Sequence, residues 1–537
     1  MVKNWKRALA LVMTVILTTT LIPMDVSATE VTELPKEEVL AEEKTISENS
    51  METMADGDIA GGTVENEKGG ITWRIDASGR LTVDGKGEIS YSAAYSRAPW
   101  YAYRTQIITA DINLSEIEDA SKLFNGCSNL TSVDVSDFDT TMTTDMNQLF
   151  RDCSSLTKID VRGFDTKQVT DMGYMFGGCE KLSELDVSGF DTSRVTDMSS
   201  MFYHCDSLTE LDVSGFDTSQ VTDMDSMFTS CAKLAKLDVS GFDTSQVTDM
   251  GSLFTECASL TKLDLSGFVT NRVTDMYRMF EGCSGLTELD VSNFNTSRVS
   301  DMLYMFQYCS GLTKLDVSSF DTGLVTDMSS MFEGCSRLTE LDVSGFDTSQ
   351  ATDMSSMFSG CSSLTELDVS GFDTSRVTDM GWMFSWCSNL EELDVSGFDT
   401  SCVTDMWYMF ERCTSLTELD VSGFDTRQVT DMSGMFYRCD GLTELDLSGF
   451  SMSLVNAASD MILCSNLVKV KSPLYLTEDV YLPKRKADDT WYLSEGMQVT
   501  QLPKDLNYSL KIQKNQIPSA EEEPPAVVDI EIGRAHV

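Results

Sequence analysis

Fourteen cysteines recur along the chain, and thiols at this density could form disulfides or bind a metal ion. They run from Cys127 to Cys439 in steps of 26 residues, and Cys464 follows one residue early. Stacked repeats would satisfy the Cα separation of a disulfide, but equivalent side chains of a stack point in parallel. Zinc is disfavoured because no C-x-x-C pair occurs and histidine is almost missing. We expect buried, reduced thiols that pack as small apolar groups, with disulfides and metal as alternatives.

One further cysteine lies outside this ladder. Cys402 occupies a position that Arg376 and Gln428 fill in the neighbouring repeats, so we expect it to be exposed. An exposed thiol could form an intermolecular disulfide, whereas the alternative is a neutral substitution.

Aspartates form three columns with the same period, and carboxylates in columns could bind calcium. They stand in the motifs L-D-V, F-D-T and T-D-M, and together they supply 35 of the 86 acidic residues. The T-D-M acids suit a helix start and the F-D-T acids suit a turn, so structure accounts for two columns. The L-D-V column is the calcium candidate, with Asp342, Asp368 and Asp394 as examples. A solvated acidic face is the simpler interpretation, and we expect no other cofactor.

The positions on either side of each Met-Phe pair, two before and two after, differ from repeat to repeat; we call them the variable slots. Aromatic residues gather in these slots over a few consecutive repeats, and exposed aromatic clusters usually contact a partner. The alternative is that the rings pack over the repeat edges. The candidate binding residues are Trp382, Trp386, Trp407, Tyr408, Tyr304 and Tyr308.

Catalysis and nucleic-acid binding find little support. Apart from His536 near the end, the chain has one histidine, His204, and no nucleophile is paired with it in the sequence. The formal net charge of -47 opposes contact with nucleic acid or an anionic membrane. We therefore expect a protein that is not an enzyme.

The elements that position these residues follow from one repeat. In the repeat at 346–371, Met354, Met357, Phe358 and Cys361 have the spacing of one helix face, with Thr352 and Asp353 at the helix start. Leu367 and Val369 alternate as in a short strand. A period of 26 residues indicates stacked units. We predict an α/β solenoid of about thirteen coils, with a parallel sheet on one face and short helices on the other.

The pattern C-x-x-L-x-x-L-D-V-S-x-F-D-T-x-x-V-T-D-M-x-x-M-F resembles the repeat of BspA-like leucine-rich-repeat surface proteins, over about 124–467. The segment 71–89 and the following Ala98, Pro99 and Trp100 resemble the part that precedes the repeats in that family. The resemblance implies a bacterial surface protein that adheres to host or microbial proteins.

The ends of the chain suggest further segments. Basic residues and an apolar run indicate a signal peptide at 1–28, and no later run is long enough to span a membrane. We predict an acidic flexible spacer at 29–62, an N-terminal capping region at 63–122, the solenoid at 123–467, a C-terminal capping region at 468–514 and a linker at 515–530. The last residues, 531–537, back-translate to a string that resembles a sequencing adapter, so we expect that they are foreign to the natural protein.

Together these features predict a secreted, bacterial cell-surface binding protein, associated with the cell wall, that contacts host or microbial proteins along its solenoid. One alternative is a structural spacer that presents a missing C-terminal module, and another is a carbohydrate-binding solenoid with glycans as partners. The sequence predicts no membrane insertion after signal cleavage and leaves the oligomeric state open.

Overall fold

The computed structural model of the protein describes residues 57–89, 98–483, 490–493, 497–504 and 511–514. All of them belong to one compact unit, Glu52–Val537. The predicted signal peptide, most of the acidic spacer, the linker and the adapter-like tail lie outside the described residues. Within the described ranges, no helix is long and apolar enough to cross a membrane. The domain limits drawn from the sequence stay predictions.

A five-stranded sheet begins the described chain. Its strands are β1 (Ala60–Val64), β2 (Gly70–Ile75), β3 (Arg80–Lys86), β4 (Thr109–Ser115) and β5 (Ser132–Asp134), in that spatial order. β1, β2 and β3 pair antiparallel, and β3, β4 and β5 pair parallel. A 3-10 helix at Tyr101–Gln106 follows the buried Trp100, whose indole Nε1 donates to the Leu123 carbonyl at 2.7 Å. The sheet thus begins with antiparallel strands and continues with the parallel strands of the repeats.

From there the chain forms a β-solenoid of about fifteen turns. The stacking is parallel throughout: the T-D-M aspartates form isolated parallel bridges from coil to coil, such as Asp353 with Asp379. The strand side of the middle coils holds the short pair β6 (Lys314–Leu315) and β7 (Glu340–Leu341), together with single bridges. A count of thirteen coils is therefore not confirmed.

The predicted short helices are wrong for the described repeats, which contain runs of turns instead. In the coil 354–361, Met357 N–H donates to Met354 O within the coil, whereas Ser356 N–H donates to Gly381 O of the next coil at 2.8 Å. Ser356 has φ 59°, so the right-handed path is interrupted before a helix can form. An α-helix would keep these N–H groups within its own coil, whereas the alternation of local and cross-coil bonds holds the stack together.

Side chains that were assigned to a helix start have different partners. The Thr352 hydroxyl donates to the Thr326 carbonyl of the preceding coil at 3.1 Å. Asp353 Oδ1 accepts the N–H of Ser355 at 2.9 Å and its hydroxyl at 2.6 Å. This is the local hydrogen bonding of an aspartate turn rather than a helix cap.

The core consists of columns of identical side chains. Phe332, for example, has no exposed surface and stacks on Phe306 and Phe358 with centroids 5.7 and 5.8 Å apart. A buried threonine column bonds adjacent coils: the Thr348 hydroxyl donates to Asp373 O at 3.0 Å and accepts Asp373 N–H at 2.7 Å. The phenylalanine column thus packs by ring stacking, and the buried hydroxyls of the threonine column form hydrogen bonds with the next coil.

A second five-stranded sheet ends the described chain. Its strands are β8 (Glu444–Asp446), β9 (Lys469–Lys471), β10 (Trp491–Leu493), β11 (Gln498–Val499) and β12 (Lys511–Lys514), in the spatial order β11, β10, β12, β9, β8. β8 and β9 continue the parallel stack, and the other pairs are antiparallel. Both ends of the stack are therefore covered by antiparallel strands, which limits the exposure of unpaired edges.

Candidate functional site

The variable slots share an unusual backbone. In coil after coil, the residue directly before the Met-Phe pair and the second residue after it adopt the left-handed conformation, which costs a non-glycine residue about 1 kcal/mol. Five of the six predicted aromatics stand at such positions. They are Tyr304 (φ 62°), Tyr308 (φ 57°), Trp382 (φ 56°), Trp386 (φ 60°) and Tyr408 (φ 53°). The turn of the solenoid therefore presents these side chains at one side of each coil.

The tryptophan cluster consists of Trp382, Trp407, Tyr408 and Tyr437. Ring centroids of Trp382 and Trp407 are 3.6 Å apart, and Tyr408 stacks on Trp382 at 6.3 Å. Tyr408 also meets Tyr437 edge-on at 6.5 Å. Trp382, Trp407 and Tyr408 are each partly exposed. Trp382 and Tyr408, one period apart in the sequence, are thus neighbours, and mutual packing holds the rings in place.

Glycines in adjacent coils make room for the large rings. Trp407 lies where a side chain at Gly381 would stand, and Tyr408 does the same at Gly434. The ring and the glycine of each pair are 26 residues apart, so they occupy the same slot in consecutive coils. When an aromatic residue has a glycine one period before or after it, the sequence thus indicates that the ring covers the glycine of the adjacent coil.

Trp386 stands beside the cluster and is 41% exposed. The guanidinium carbon of Arg412, in the same slot of the next coil, lies 3.9 Å from the Trp386 ring centroid, within cation–π distance. Arg412 Nε is also 3.5 Å from Glu411 Oε1, and Ser385 donates to the other carboxylate oxygen at 3.2 Å. Burial raises the pKa of Glu411. The sequence analysis missed Arg412, although its spacing from Trp386 could have revealed it.

The tyrosine cluster, Tyr277, Tyr304 and Tyr308, lies a few coils earlier. The Arg278 guanidinium is 5.0 Å from the Tyr277 ring centroid and 4.8 Å from that of Tyr304. The Tyr308 hydroxyl donates to Glu333 Oε1 at 3.1 Å, and its ring is 39% exposed. In the structure, Tyr304 and Tyr308 thus form a cluster a few coils before the tryptophans.

A third aromatic group was missed from the sequence. Tyr174 and Tyr203 meet edge-on at 6.3 Å, and Arg151 lies over the Tyr174 ring at 4.4 Å. His204 packs edge-on against Tyr203 at 4.4 Å, and its Nδ1 is 3.2 Å from Asp206 Oδ1. The bond to that carboxylate raises the pKa of His204. The partner of His204 is thus an acid two residues away, and the group resembles the other clusters in its mixture of aromatic rings and cations.

The calcium candidates each use one carboxylate oxygen locally. Asp342, Asp368 and Asp394 accept the N–H and the hydroxyl of the serine two residues later, at 3.0 and 2.6 Å. These bonds lower the carboxyl pKa values. No three His, Cys, Asp or Glu residues form a metal-ligand group in the described part of the chain. Calcium binding stays a prediction.

The T-D-M column differs because its carboxylates are half-buried. Around Gly251, the carboxylates of the column members Asp249 and Asp275 approach that of Asp225, which stands in a variable slot. Burial, followed by the charges of Asp249 and its neighbours, raises the pKa of Asp225 to about 7. Burial likewise raises the pKa of Asp275 to about 6. These acids repel one another when ionised, so this part of the stack responds to pH.

The cysteine ladder is buried, as predicted, and Cys402 is exposed, as predicted. From Cys153 onward, each ladder thiol donates to a phenylalanine carbonyl 28 or 29 residues earlier, as Cys335 does to Phe306 O at 3.2 Å. Burial raises the pKa of Cys335 to about 12, so the thiol stays protonated and unreactive. The ladder belongs to the core, and a reactive role for Cys402 stays a prediction.

This architecture defines a bacterial leucine-rich-repeat type of solenoid, with uniform columns inside and varied side chains in the variable slots. The chain belongs to the family described as "Mycoplasma protein of unknown function, DUF285", whose model matches residues 100–210, 176–288, 285–368 and 352–472. None of the curated proteins is similar to the chain.

Several solved structures are similar to the chain at low sequence identity. A leucine-rich repeat protein from Bacteroides ovatus is 15% identical, with 79% of this chain and 91% of that one covered and a TM-score of 0.40. A leucine rich cell surface protein from Faecalibacterium prausnitzii is 17% identical, with 66% and 93% covered and a TM-score of 0.29. The functional domain of InlJ from Listeria monocytogenes, which includes a cysteine ladder, is 20% identical, with 72% and 63% covered and a TM-score of 0.25.

Proposed function

We propose that the protein is an exported, non-catalytic binding protein of the bacterial cell surface that contacts proteins of host or microbial surfaces through the tryptophan cluster. The cluster carries the proposal because Trp, Tyr and Arg residues dominate the binding energy of protein interfaces. Trp382, Trp407 and Tyr408 are partly exposed, and they pack on one another and on glycines. Side chains that are held in place before binding lose little conformational entropy on contact.

The balance of charged residues also favours the side of the variable slots as the binding surface. In the variable slots between 121 and 460, five basic residues oppose seven acidic ones, although the whole chain has a net charge of -47. The basic residues are Lys122, Arg151, Arg278, Arg412 and Arg438, and the acidic ones are Asp152, Asp225, Glu256, Glu281, Glu333, Glu411 and Asp460. A nearly neutral surface can be desolvated against another protein at a lower cost than the acidic columns.

Adhesion of the full chain to intact and protease-treated cells tests the proposal. Trp407→Ser and Tyr408→Ser introduce the residue that Ser355 and Ser356 provide in these slots, so the fold should persist. We expect loss of adhesion in this double variant and on protease-treated cells. Tyr481→Ser, a change at a 60% exposed ring in the C-terminal region, is the control that should adhere normally. Full adhesion by the double variant would refute the proposal.

A further inference from the structure

A shallow trough separates the two aromatic clusters. Between Tyr308 and Trp386, the same slot holds Gly334 and Gly360 in the two intervening coils. The Tyr308 ring covers Gly334, where no Cβ would fit. Above Gly360 the surface is open, because a Cβ added there would meet the Gly334 backbone alone. Since parallel stacking spaces coils by about 5 Å, roughly 10 Å separate the slot under the Tyr308 ring from that of Trp386.

The two rims of the trough are aromatic. Arg412 comes from the coil after Trp386 and covers one face of its ring. In the preceding coil, the same slot holds Gly360, which has no side chain. Tyr308 and Trp386 are the two most exposed of the six predicted aromatics. The trough thus has one ring at each end and a gap between them that fits a ring-sized group.

Polar groups line the floor and one rim. The hydroxyls of Ser356 and Ser359 have no hydrogen-bond partner among the described residues, whereas that of Ser355 donates to Asp353. Glu333 is held in place, since its two carboxylate oxygens accept the Tyr308 hydroxyl and, at 2.6 Å, Gln307 Nε2. Free hydroxyls and an oriented carboxylate can hydrogen-bond the hydroxyls of a ligand.

From this arrangement we infer that the trough binds a sugar ring of a neutral saccharide chain. The negative face of an aromatic ring attracts the weakly positive C–H groups of a sugar face, and the serines and Glu333 meet its hydroxyls. A charged sugar suits the site less well. Glu333 and the net charge of -47 repel anions, while Arg412 is already stacked on Trp386 and adjacent to Glu411.

A peptide strand is a poorer occupant, because recognition of a strand needs free backbone groups. At the floor, Ser356 N–H donates to Gly381 O and Gly360 N–H donates to Ser385 O, at 2.8 and 2.7 Å. The Ser355 and Ser359 carbonyls accept from Ser330 and Gly334 of the preceding coil. The backbone of the trough is thus occupied by the stack, and recognition must come from side chains.

The inference goes beyond the proposed protein binding, and binding of the full chain to an array of neutral hexose oligosaccharides tests it. Trp386→Ala removes one rim, and Ser356→Tyr fills the floor with a side chain that Tyr304 and Tyr408 already carry in the same slot. We expect each change to weaken oligosaccharide binding at least about tenfold. Ser226→Tyr, in the same slot as Ser356, and Tyr203→Ala, which removes another aromatic ring outside the trough, should alter it less than about twofold.

The outcomes separate this inference from the proposed function. Failure of the unchanged protein to bind any neutral oligosaccharide, or equal binding by Ser356→Tyr, would overturn the inference. Loss of protein-dependent adhesion in Ser356→Tyr without any saccharide binding would assign the trough to a protein instead, and would also overturn it. Neither result affects the test of Trp407 and Tyr408, which uses protease-treated cells as its control.

Discussion

The strand side and the variable slots of each coil obey different rules. On the strand side, the same aspartate turn recurs with the same bonds, as in Asp342, Asp368 and Asp394. In the variable slots the backbone recurs, with φ values near 55–60°, while the side chains change from serine to tyrosine, tryptophan or arginine. The repeated residues meet the requirements of stacking, whereas the variable slots change their side chains on an unchanged backbone, and it is there that we propose recognition.

Removal of a core ring should have the largest effect on stability. Phe332→Ala leaves a cavity between Phe306 and Phe358, and we expect a loss of about 3–5 kcal/mol in the free energy of unfolding. Trp407→Ser, which changes a ring of similar size in a variable slot, should cost less than about half as much because the site is partly exposed. Urea unfolding followed by circular dichroism measures both. Equal losses would remove the distinction between the two kinds of aromatic residue.

Removal of a buried threonine hydroxyl should have the second-largest effect on stability. Thr348→Val leaves the Asp373 N–H without its acceptor inside the stack, and we expect a loss of about 1–3 kcal/mol. Thr348→Ser keeps the hydroxyl and should recover most of the stability. Ser356→Ala, in a variable slot without a partner for its hydroxyl, should change stability by less than about 0.5 kcal/mol. The same unfolding measurement applies, and a silent Thr348→Val would contradict the role of the threonine column.

Titration of the buried acids should have the smallest effect. Because the folded state raises the pKa of Asp225 to about 7, it binds a proton more tightly than the unfolded chain does. The contribution of Asp225 to stability is therefore fully present below the ordinary carboxyl pKa and is lost as the pH rises toward 7. We expect the melting temperature to fall over this range, and to fall less in Asp225→Ser. Identical pH profiles of the two proteins would show that the acids around Gly251 are not coupled.

The sequence predicted the stacked core well because a fixed period constrains every copy alike. Met354, Met357, Phe358 and Cys361 are all fully buried, as their spacing indicates. The same spacing also predicted a short helix, and this prediction is wrong. A run of turns with a left-handed residue at Ser356 places the same side chains inward as a helix would, so periodicity alone cannot distinguish the two.

The arrangement of side chains in the variable slots was only partly predictable. The aromatic residues stand out because they depart from the repeat, and in the structure Trp382, Trp407 and Tyr408 contact one another. Partners one period away, such as Arg412 on Trp386, are visible once equivalent slots are aligned. The division into two clusters with an open trough depends on how each ring leans, which spacing does not determine.

The most direct test of the account compares the two sides in one adhesion assay. One variant replaces the rings with the small residues of the 355–360 coil, by Trp382→Ser, Trp386→Gly, Trp407→Ser and Tyr408→Ser. The other removes three carboxylates from the strand side in the same region, by Glu366→Gln, Glu392→Gln and Glu418→Gln. With both proteins folded, we predict that adhesion is lost in the first variant and kept in the second. Adhesion that survives in the first variant and disappears in the second would contradict the central claim.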